Sequence, residues 1–136
     1  MTDFRYRFRP RYYEIDRQGV LFNMWYLGYV DTAMGDFYAD RGTDYEAMLA
    51  AGYDCQVVHV ELDYAAGLTD ERDTELVLRA GAIGTKSFTI DFVFVTDLDA
   101  DEPTEAVAGR IVYAVIAADG SGSIPIPDAL REVLQS

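Results

Sequence analysis

Alternating apolar and polar side chains along the chain predict a set of β-strands. Near the start, Phe4, Tyr6 and Phe8 are separated by single arginines, which is the period-2 pattern of a strand with one buried face. Pro10 follows, so we expect this strand to lie at a sheet edge or to bend there. Longer strand-like runs come later, at about residues 54–64, 74–82, 87–95 and 106–117. The sequence therefore predicts five strands, of which the last four are consecutive.

One long helix is predicted between the first strand and the other four. Its apolar side chains recur at helical spacing from Asn23 to about Arg41, and Gly42 provides a C-terminal stop. Shorter helices are predicted at about residues 44–51 and 127–134. We expect a single α+β domain over residues 1–136, an antiparallel sheet wrapped around the long helix. The apolar positions of that helix are Tyr26, Tyr29, Val30, Ala33, Met34 and Phe37.

Composition narrows the class of protein. Half of the 136 residues are hydrophobic, no window has the length and apolarity of a membrane span, and the first residues contain no apolar signal core. The chain has one cysteine, Cys55, and one histidine, His59, so neither an internal disulfide nor a cysteine- or histidine-based metal site is expected. His59 lies among valines and is predicted to be an ordinary strand residue. These features predict a cytoplasmic protein that does not bind membranes.

The charge is strongly negative. The formal net charge is -13, and Lys86 is the only lysine beside ten arginines. Nucleic-acid binding depends on neutralising phosphates, so this class of function is not expected. An acidic shell adapted to high salt is the favoured interpretation, and an ordinary acidic protein is the alternative.

The segment from Arg11 to Tyr26, RYYEIDRQGVLFNMWY, contains the strongest candidate chemistry. A strand is predicted to lead to Asp16, a turn follows at Gly19, and Asn23 is predicted to cap the helix. One carboxylate would then lie beside a helix N-terminus, where unpaired N–H groups and the helix dipole favour developing negative charge. Asp16 could act as a general base, as a nucleophile, or only as a turn residue that bonds backbone N–H groups. Glu14, expected on the same strand face, is the nearest rival carboxylate.

Five segments of the chain together form a recognisable series. The first is the loop Asp-x-x-Gly followed by an aromatic-bearing helix start, here Asp16 to Tyr26. The other four are NMWYLGYVDTAMGDFYADRG, HVELDYAAGLTDERDTELVL, TKSFTIDFVF and AGRIVYAVIAADGSGSIPIPDALREVL. In this order they resemble the hotdog-fold acyl-CoA thioesterases of the 4-hydroxybenzoyl-CoA thioesterase type. In the second segment Trp25 stands where the family usually has asparagine, and in the third Ala65 and Ala66 replace a common proline.

This resemblance implies hydrolysis of an acyl-CoA thioester without a metal or bound cofactor, in a homodimer or homotetramer with active sites between subunits. It places Asp16, Gly19 and the Asn23 backbone N–H in the catalytic site. Because coenzyme A is a polyanion, an acidic protein needs a local positive patch to bind it. A thioesterase for carrier-protein substrates and a non-catalytic acyl-CoA-binding protein remain alternatives. The predicted substrate-binding residues are Phe22, Tyr26 and Asp31. The predicted coenzyme A contacts are Lys86, Arg79 and Ser87, and Arg110 is a weaker candidate for such a contact.

Overall fold

The computed structural model describes all 136 residues and contains five strands and three α-helices. The five strands and three helices predicted from periodicity are present, with ends that agree to within about three residues. No helix is both long enough and apolar enough to cross a membrane. In chain order the elements are β1 (Phe4–Phe8), α1 (Trp25–Asp40), α2 (Tyr45–Ala50), β2 (Tyr53–Tyr64), β3 (Thr74–Ile83), β4 (Ser87–Thr96), β5 (Thr104–Ala117) and α3 (Asp128–Gln135).

The strands form one antiparallel sheet in the order β1-β3-β4-β5-β2. The first strand lies at one edge, as Pro10 predicted. Its Arg5 is bound to Glu75 of β3 at 2.5 Å, and its Arg7 pairs with Asp73, directly before β3, at 3.7 Å. The other edge is β2, which has twelve residues and a register shift next to Val58. His59 lies exposed on this strand beside Glu61, as an ordinary strand residue.

Helix α1 packs against the inner face of the sheet through aromatic side chains. On the sheet side, β4 alternates strictly, with Phe88, Ile90, Phe92 and Phe94 buried. Tyr26 meets Phe94 edge-on with ring centroids 5.1 Å apart. One stripe of α1 is buried, and its opposite face remains exposed. This is the predicted α+β arrangement of a sheet wrapped around one helix.

The segment before Asp16 differs from the prediction. It forms a single 3₁₀ turn, Tyr12–Glu14, instead of a strand. The cause is the buried Glu14 carboxylate, which accepts hydrogen bonds from the Tyr29 hydroxyl and, at 2.7 Å, from the backbone N–H of Arg11. These hydrogen bonds turn the chain toward α1. They join residues that the hydrophobic pattern of the sequence does not relate to one another.

Candidate functional site

A tight hairpin turn presents Asp16. The Asp16 carbonyl accepts from the Gly19 N–H at 3.0 Å, and the Asp16 N–H donates to the Val20 carbonyl at 2.8 Å. Gly19 has φ +82°, a left-handed conformation that glycine adopts without strain. The Asp16 carboxylate accepts from the Gln18 N–H at 2.8 Å through Oδ1. This bond is the one expected of a turn aspartate, and it fixes the carboxylate while leaving Oδ2 without a protein partner.

The same turn is held against its neighbours on both sides. Beyond Val20, the Leu21 N–H donates to the Leu68 carbonyl at 2.8 Å, and the Leu21 side chain is buried. On the other side, the Phe22 N–H donates to the Glu14 carbonyl at 2.9 Å. Gly67 lies so close to Val20 that any side chain there would collide with it. The position of Asp16 is therefore set by the segment that follows β2 as well as by its own turn.

A pocket of about 420 Å³ opens beside Asp16. The buried Tyr26 lines it and meets the ring of Tyr64 edge-on with centroids 5.4 Å apart. Burial raises the pKa of Tyr26, so its hydroxyl is neutral at physiological pH. The pocket thus combines one carboxylate with aromatic and aliphatic walls. Its lining residues are Asp16, Gln18, Val20, Leu21, Phe22, Asn23, Tyr26, Tyr64, Ala65, Ala66 and Gly67.

The prediction that Asn23 caps the helix is wrong. Helix α1 begins at Trp25, its N-cap is Met24 in a helical conformation, and no side chain caps it. The Asn23 carbonyl instead accepts from the Tyr64 hydroxyl at 3.3 Å. The backbone N–H groups of Asn23 and Met24 donate to no protein acceptor. Two free donors therefore lie at the positive end of the helix dipole, and one of them belongs to Asn23, which lines the pocket.

Glu14 does not lie beside Asp16 as a rival carboxylate. Its side chain is only 3% exposed and its carboxylate is bound by Tyr29 and Arg11. It lines a different pocket, together with Tyr29 of α1, and is absent from the lining of the Asp16 pocket. Burial and the bond to Glu14 raise the pKa of Tyr29, so this phenol keeps its proton. The prediction that Glu14 and Asp16 share one strand face is therefore wrong.

The predicted substrate residues fall into two places. Phe22 and Tyr26 line the Asp16 pocket. Asp31 lines a different pocket farther along α1. Tyr64, Gln18 and Gly67 also line the Asp16 pocket but were missed from the sequence. For Tyr64 a signal existed, since it is the aromatic residue that ends β2 directly before the Ala65–Ala66 loop.

The predicted coenzyme A residues lie far from Asp16 within one chain. Ser87 pairs with Ala114 of β5, and Tyr64 pairs with Val107. Those two β5 positions are seven residues apart, or about 24 Å at roughly 3.4 Å per residue. Lys86, next to Ser87, is therefore at the opposite end of the sheet from the Asp16 pocket.

Arg79 is not near the Gly84 turn with Lys86. It lies opposite Asp91 in the middle of β3, and its guanidinium donates two hydrogen bonds to Asp3, at 2.8 and 2.7 Å. Arg110 is flanked by Glu61 and Asp91, each at 3.7 Å. Of the eleven cationic side chains, only Arg17, Lys86 and Arg131 have no carboxylate within 4.0 Å. Arg17, directly after Asp16, is a cation that the sequence reasoning missed.

The geometry around Asp16 suits attack on a carbonyl group. The carboxylate has a fixed orientation and a free oxygen, so it can accept a proton from water or attack carbon itself. Free backbone N–H groups at a helix start can stabilise the oxyanion that forms. No group of three histidine, cysteine or acidic side chains is placed to hold a metal ion.

Comparisons with known proteins identify the family. The sequence profile of the family described as the thioesterase-like superfamily matches residues 10–134. The chain belongs to this superfamily. The assignment confirms the family resemblance and the predicted enzyme class, a thioester hydrolase.

Individual relatives agree with the family over nearly the full chain. A protein of Aquifex aeolicus (strain VF5), named only provisionally as an esterase, is 27% identical over 133 residues, covering 97% of this chain and 98% of its own. A solved structure of a 4-hydroxybenzoyl CoA thioesterase complexed with 4-hydroxybenzoyl CoA superposes with a TM-score of 0.88 at 12% identity, covering 98% and 99% of the two chains. A 1,4-dihydroxy-2-naphthoyl-CoA thioesterase from Synechocystis gives 0.86 at 14% identity, covering 98% and 96%. These likenesses confirm the hotdog fold.

Proposed function

We propose that this superfamily member is an acyl-CoA thioesterase that releases coenzyme A and a small, medium-sized or aromatic carboxylic acid. The observation that carries the proposal is the arrangement at Asp16. One carboxylate oxygen is held by the Gln18 N–H, and the other is free. The unpaired N–H groups of Asn23 and Met24 lie at the start of α1, and Asn23 lines the same pocket as Asp16. The structural relatives named above support coenzyme A as the carrier, because both are described as thioesterases for CoA esters.

In this proposal Asp16 acts in one of two ways. As a general base it accepts a proton from water while the water oxygen forms a bond to the thioester carbon. As a nucleophile it bonds to that carbon, coenzyme A leaves, and water then cleaves the mixed anhydride. On either route the carbonyl oxygen becomes negative in the tetrahedral intermediate and is stabilised by the free N–H groups at the start of α1. The C–S bond then breaks and the coenzyme A sulfur leaves as a thiolate that takes up a proton.

The Asp16 pocket fits an acyl group of modest size. Its volume of about 420 Å³ lies in the lower part of the range for small-molecule pockets, roughly 300–1,000 Å³. Its walls include Phe22, Tyr26 and Tyr64, which favour an apolar or aromatic acyl group over a charged one.

A homodimer formed through β2 would complete the site. This twelve-residue strand ends the sheet with one edge unpaired, and its Val57 and Val58 side chains are 44% and 57% exposed. Such an edge is a template for pairing with another strand. Antiparallel pairing of two β2 strands would bring the Tyr64 end of one subunit next to the Tyr53 end of the other.

That arrangement gives Lys86 a role despite its distance from Asp16 in one chain. Lys86 lies at the Tyr53 end of the sheet, so Lys86 of the partner subunit would lie on the Asp16 side of the joined sheet. Arg131 is next to it, since its guanidinium donates to the Gly84 carbonyl at 2.7 Å. Both are free of carboxylate partners and can attract the phosphates of coenzyme A to an acidic protein. Further pairing of dimers into a tetramer is part of the same proposal.

A substrate panel tests the proposed function. Benzoyl-, 4-hydroxybenzoyl-, hexanoyl- and acetyl-CoA are offered to the purified protein, and free thiol release is followed over time. We expect turnover on at least one aromatic or medium-chain CoA thioester. The same acyl groups on acyl carrier protein provide the comparison. Turnover only on the carrier-protein substrates, or tight binding of every CoA thioester without thiol release, would contradict the proposal.

A further inference from the structure

Glu14 is an acidic side chain that the proposed hydrolysis does not use, yet it is almost fully buried. Its side chain is 3% exposed and lies between the turn that follows Arg11 and helix α1. Burying a carboxylate is costly unless hydrogen bonds compensate for the lost water. Buried charged groups can often be replaced by apolar side chains without loss of stability. Stability alone therefore does not account for a carboxylate at this position.

Three donors surround the Glu14 carboxylate. Oε1 accepts from the Tyr29 hydroxyl and, at 2.7 Å, from the Arg11 N–H, and the Arg11 guanidinium lies 3.9 Å from Oε2. Burial and the bond to Glu14 raise the pKa of Tyr29, so its hydroxyl remains a donor at neutral pH. The Tyr29 ring stacks on Phe8 of β1 with centroids 3.9 Å apart. The Glu14 carboxylate is thus bound to a residue that is itself packed between the helix and the sheet.

The backbone of Glu14 begins the hairpin that carries Asp16. The Glu14 carbonyl accepts from the Phe22 N–H at 2.9 Å, and two residues later the Asp16 N–H donates across the same hairpin at 2.8 Å. The bond between Glu14 and Tyr29 is the only hydrogen bond that joins residues 11–21 to α1. Glu14 and Asp16 are about 7 Å apart at roughly 3.4 Å per residue. A shift of Glu14 away from the helix would therefore pass directly to Asp16.

We propose that Glu14 and Tyr29 are positioning residues, which hold Asp16 at a fixed place relative to the start of α1. The backbone bonds described above tie the hairpin to the segment after β2, whereas this pair ties it to the helix that carries the free N–H groups. A carboxylate and an oxyanion donor that act on one carbonyl group have to keep a fixed separation. The inference rests on the proposed function of Asp16 and adds a role for two residues outside its pocket.

The variant Tyr29→Phe removes the bond and keeps the aromatic ring. We expect kcat on a CoA thioester to fall roughly 10- to 100-fold with KM nearly unchanged, because a misplacement of about 1 Å can cost about 100-fold. Glu14→Gln keeps an acceptor oxygen for both N–H and hydroxyl donors, so its kcat should stay within about threefold of wild type. Tyr6→Phe is the matched control, since the Tyr6 ring lies on β1 beside the same stack and its hydroxyl bonds to no protein group. It should change neither kinetic constant.

A double variant separates positioning from stability. In Tyr29→Phe the Glu14 carboxylate loses a donor while it stays buried, so the melting temperature should fall. In Glu14→Met/Tyr29→Phe both polar partners are replaced by apolar groups of similar size, and the melting temperature should return toward the wild-type value. The kcat of the double variant should remain as low as that of Tyr29→Phe, because the link between hairpin and helix is still missing.

Amide hydrogen exchange reports on the hairpin without any substrate. In the double variant the N–H groups of Asp16 and Phe22 should exchange at least about tenfold faster than in wild type, because the hairpin opens locally. The N–H groups of β4 should keep their wild-type rates, since the stability of the core is restored. A purely structural role of the pair would not produce this local difference.

Three results would overturn the proposal. They are wild-type kcat in a folded Tyr29→Phe protein, a double variant whose kcat recovers together with its melting temperature, and unchanged amide exchange at Asp16 and Phe22. Each would mean that the pair serves the fold alone. A wild-type protein that hydrolyses no thioester would instead contradict the proposed function, and amide exchange would still show whether the pair holds the hairpin.

Discussion

Replacing Gly67 by alanine is expected to damage catalysis by displacing Val20, whose backbone holds the Asp16 turn. A Cβ atom at position 67 would lie 2.3 Å from Val20 Cγ1 and 2.8 Å from Val20 Cβ. Carbon atoms in good contact are at least about 3.5 Å apart, so Cγ1 must move by about 1.2 Å and Cβ by about 0.7 Å. Side-chain rotation cannot move Cβ, so the backbone of Val20 must shift. The Val20 carbonyl accepts the Asp16 N–H at 2.8 Å, and the shift therefore reaches Asp16.

The assay compares kcat and the melting temperature of Gly67→Ala with those of wild type. We expect kcat to fall roughly 10- to 100-fold, because a misplacement of about 1 Å at a reacting group can cost about 100-fold. Overpacking should remove about 1–3 kcal/mol of stability, seen as a fall of several degrees in melting temperature. Gly28→Ala is the control, since its Cβ would meet nothing nearer than Trp25 Cε3 at 4.0 Å and alanine favours a helix. A folded Gly67→Ala protein with wild-type kcat would refute the argument that this contact positions Asp16.

Three further predictions address charge and the buried thiol. Lys86→Glu should raise KM for CoA thioesters with little change in kcat, and should leave the kinetics of a pantetheine thioester, which lacks the nucleotide, unchanged. Equal losses on both substrates would instead give Lys86 a role in folding or assembly. If the net charge of -13 is an adaptation to salt, the melting temperature should rise markedly from low to molar potassium chloride, and a flat or falling value would contradict this. Burial raises the pKa of the Cys55 thiol from 9.0 to about 12. Iodoacetamide at pH 8 should therefore label Cys55 about 1,000-fold more slowly than a free cysteine, because the thiolate is the reactive form. Labelling at the rate of a free cysteine would contradict this.

The regular elements could be predicted from the sequence because their patterns are local. In β4, Ile90, Phe92 and Phe94 alternate with polar or outward residues, and each of the three is buried on the helix side. Pro10 correctly placed β1 at an edge, because proline cannot donate within a central strand. Local pattern also placed Asp16 in a turn closed by Gly19.

The features that position the site depend on contacts between distant residues, and these could not be predicted. Glu14 was expected on a strand, but its bond to Tyr29, fifteen residues away, buries it under α1. Asn23 was expected to cap the helix, but its carbonyl is bound by Tyr64, forty-one residues later. Arg79 was expected near a turn with Lys86, but its side chain is bound by Asp3, 76 residues earlier in the chain.

Turnover of Asp16→Asn on a CoA thioester that the wild type hydrolyses is the most direct test of the central claim. Asparagine keeps the size and the acceptor oxygen that binds the Gln18 N–H, so the turn should survive while the base or nucleophile is lost. We predict that kcat falls by roughly two to four orders of magnitude with an unchanged circular dichroism spectrum. Glu14→Gln, measured beside it, should lose far less activity. A folded Asp16→Asn protein with wild-type-like turnover, or a greater loss in Glu14→Gln, would contradict the assignment of Asp16 as the catalytic carboxylate.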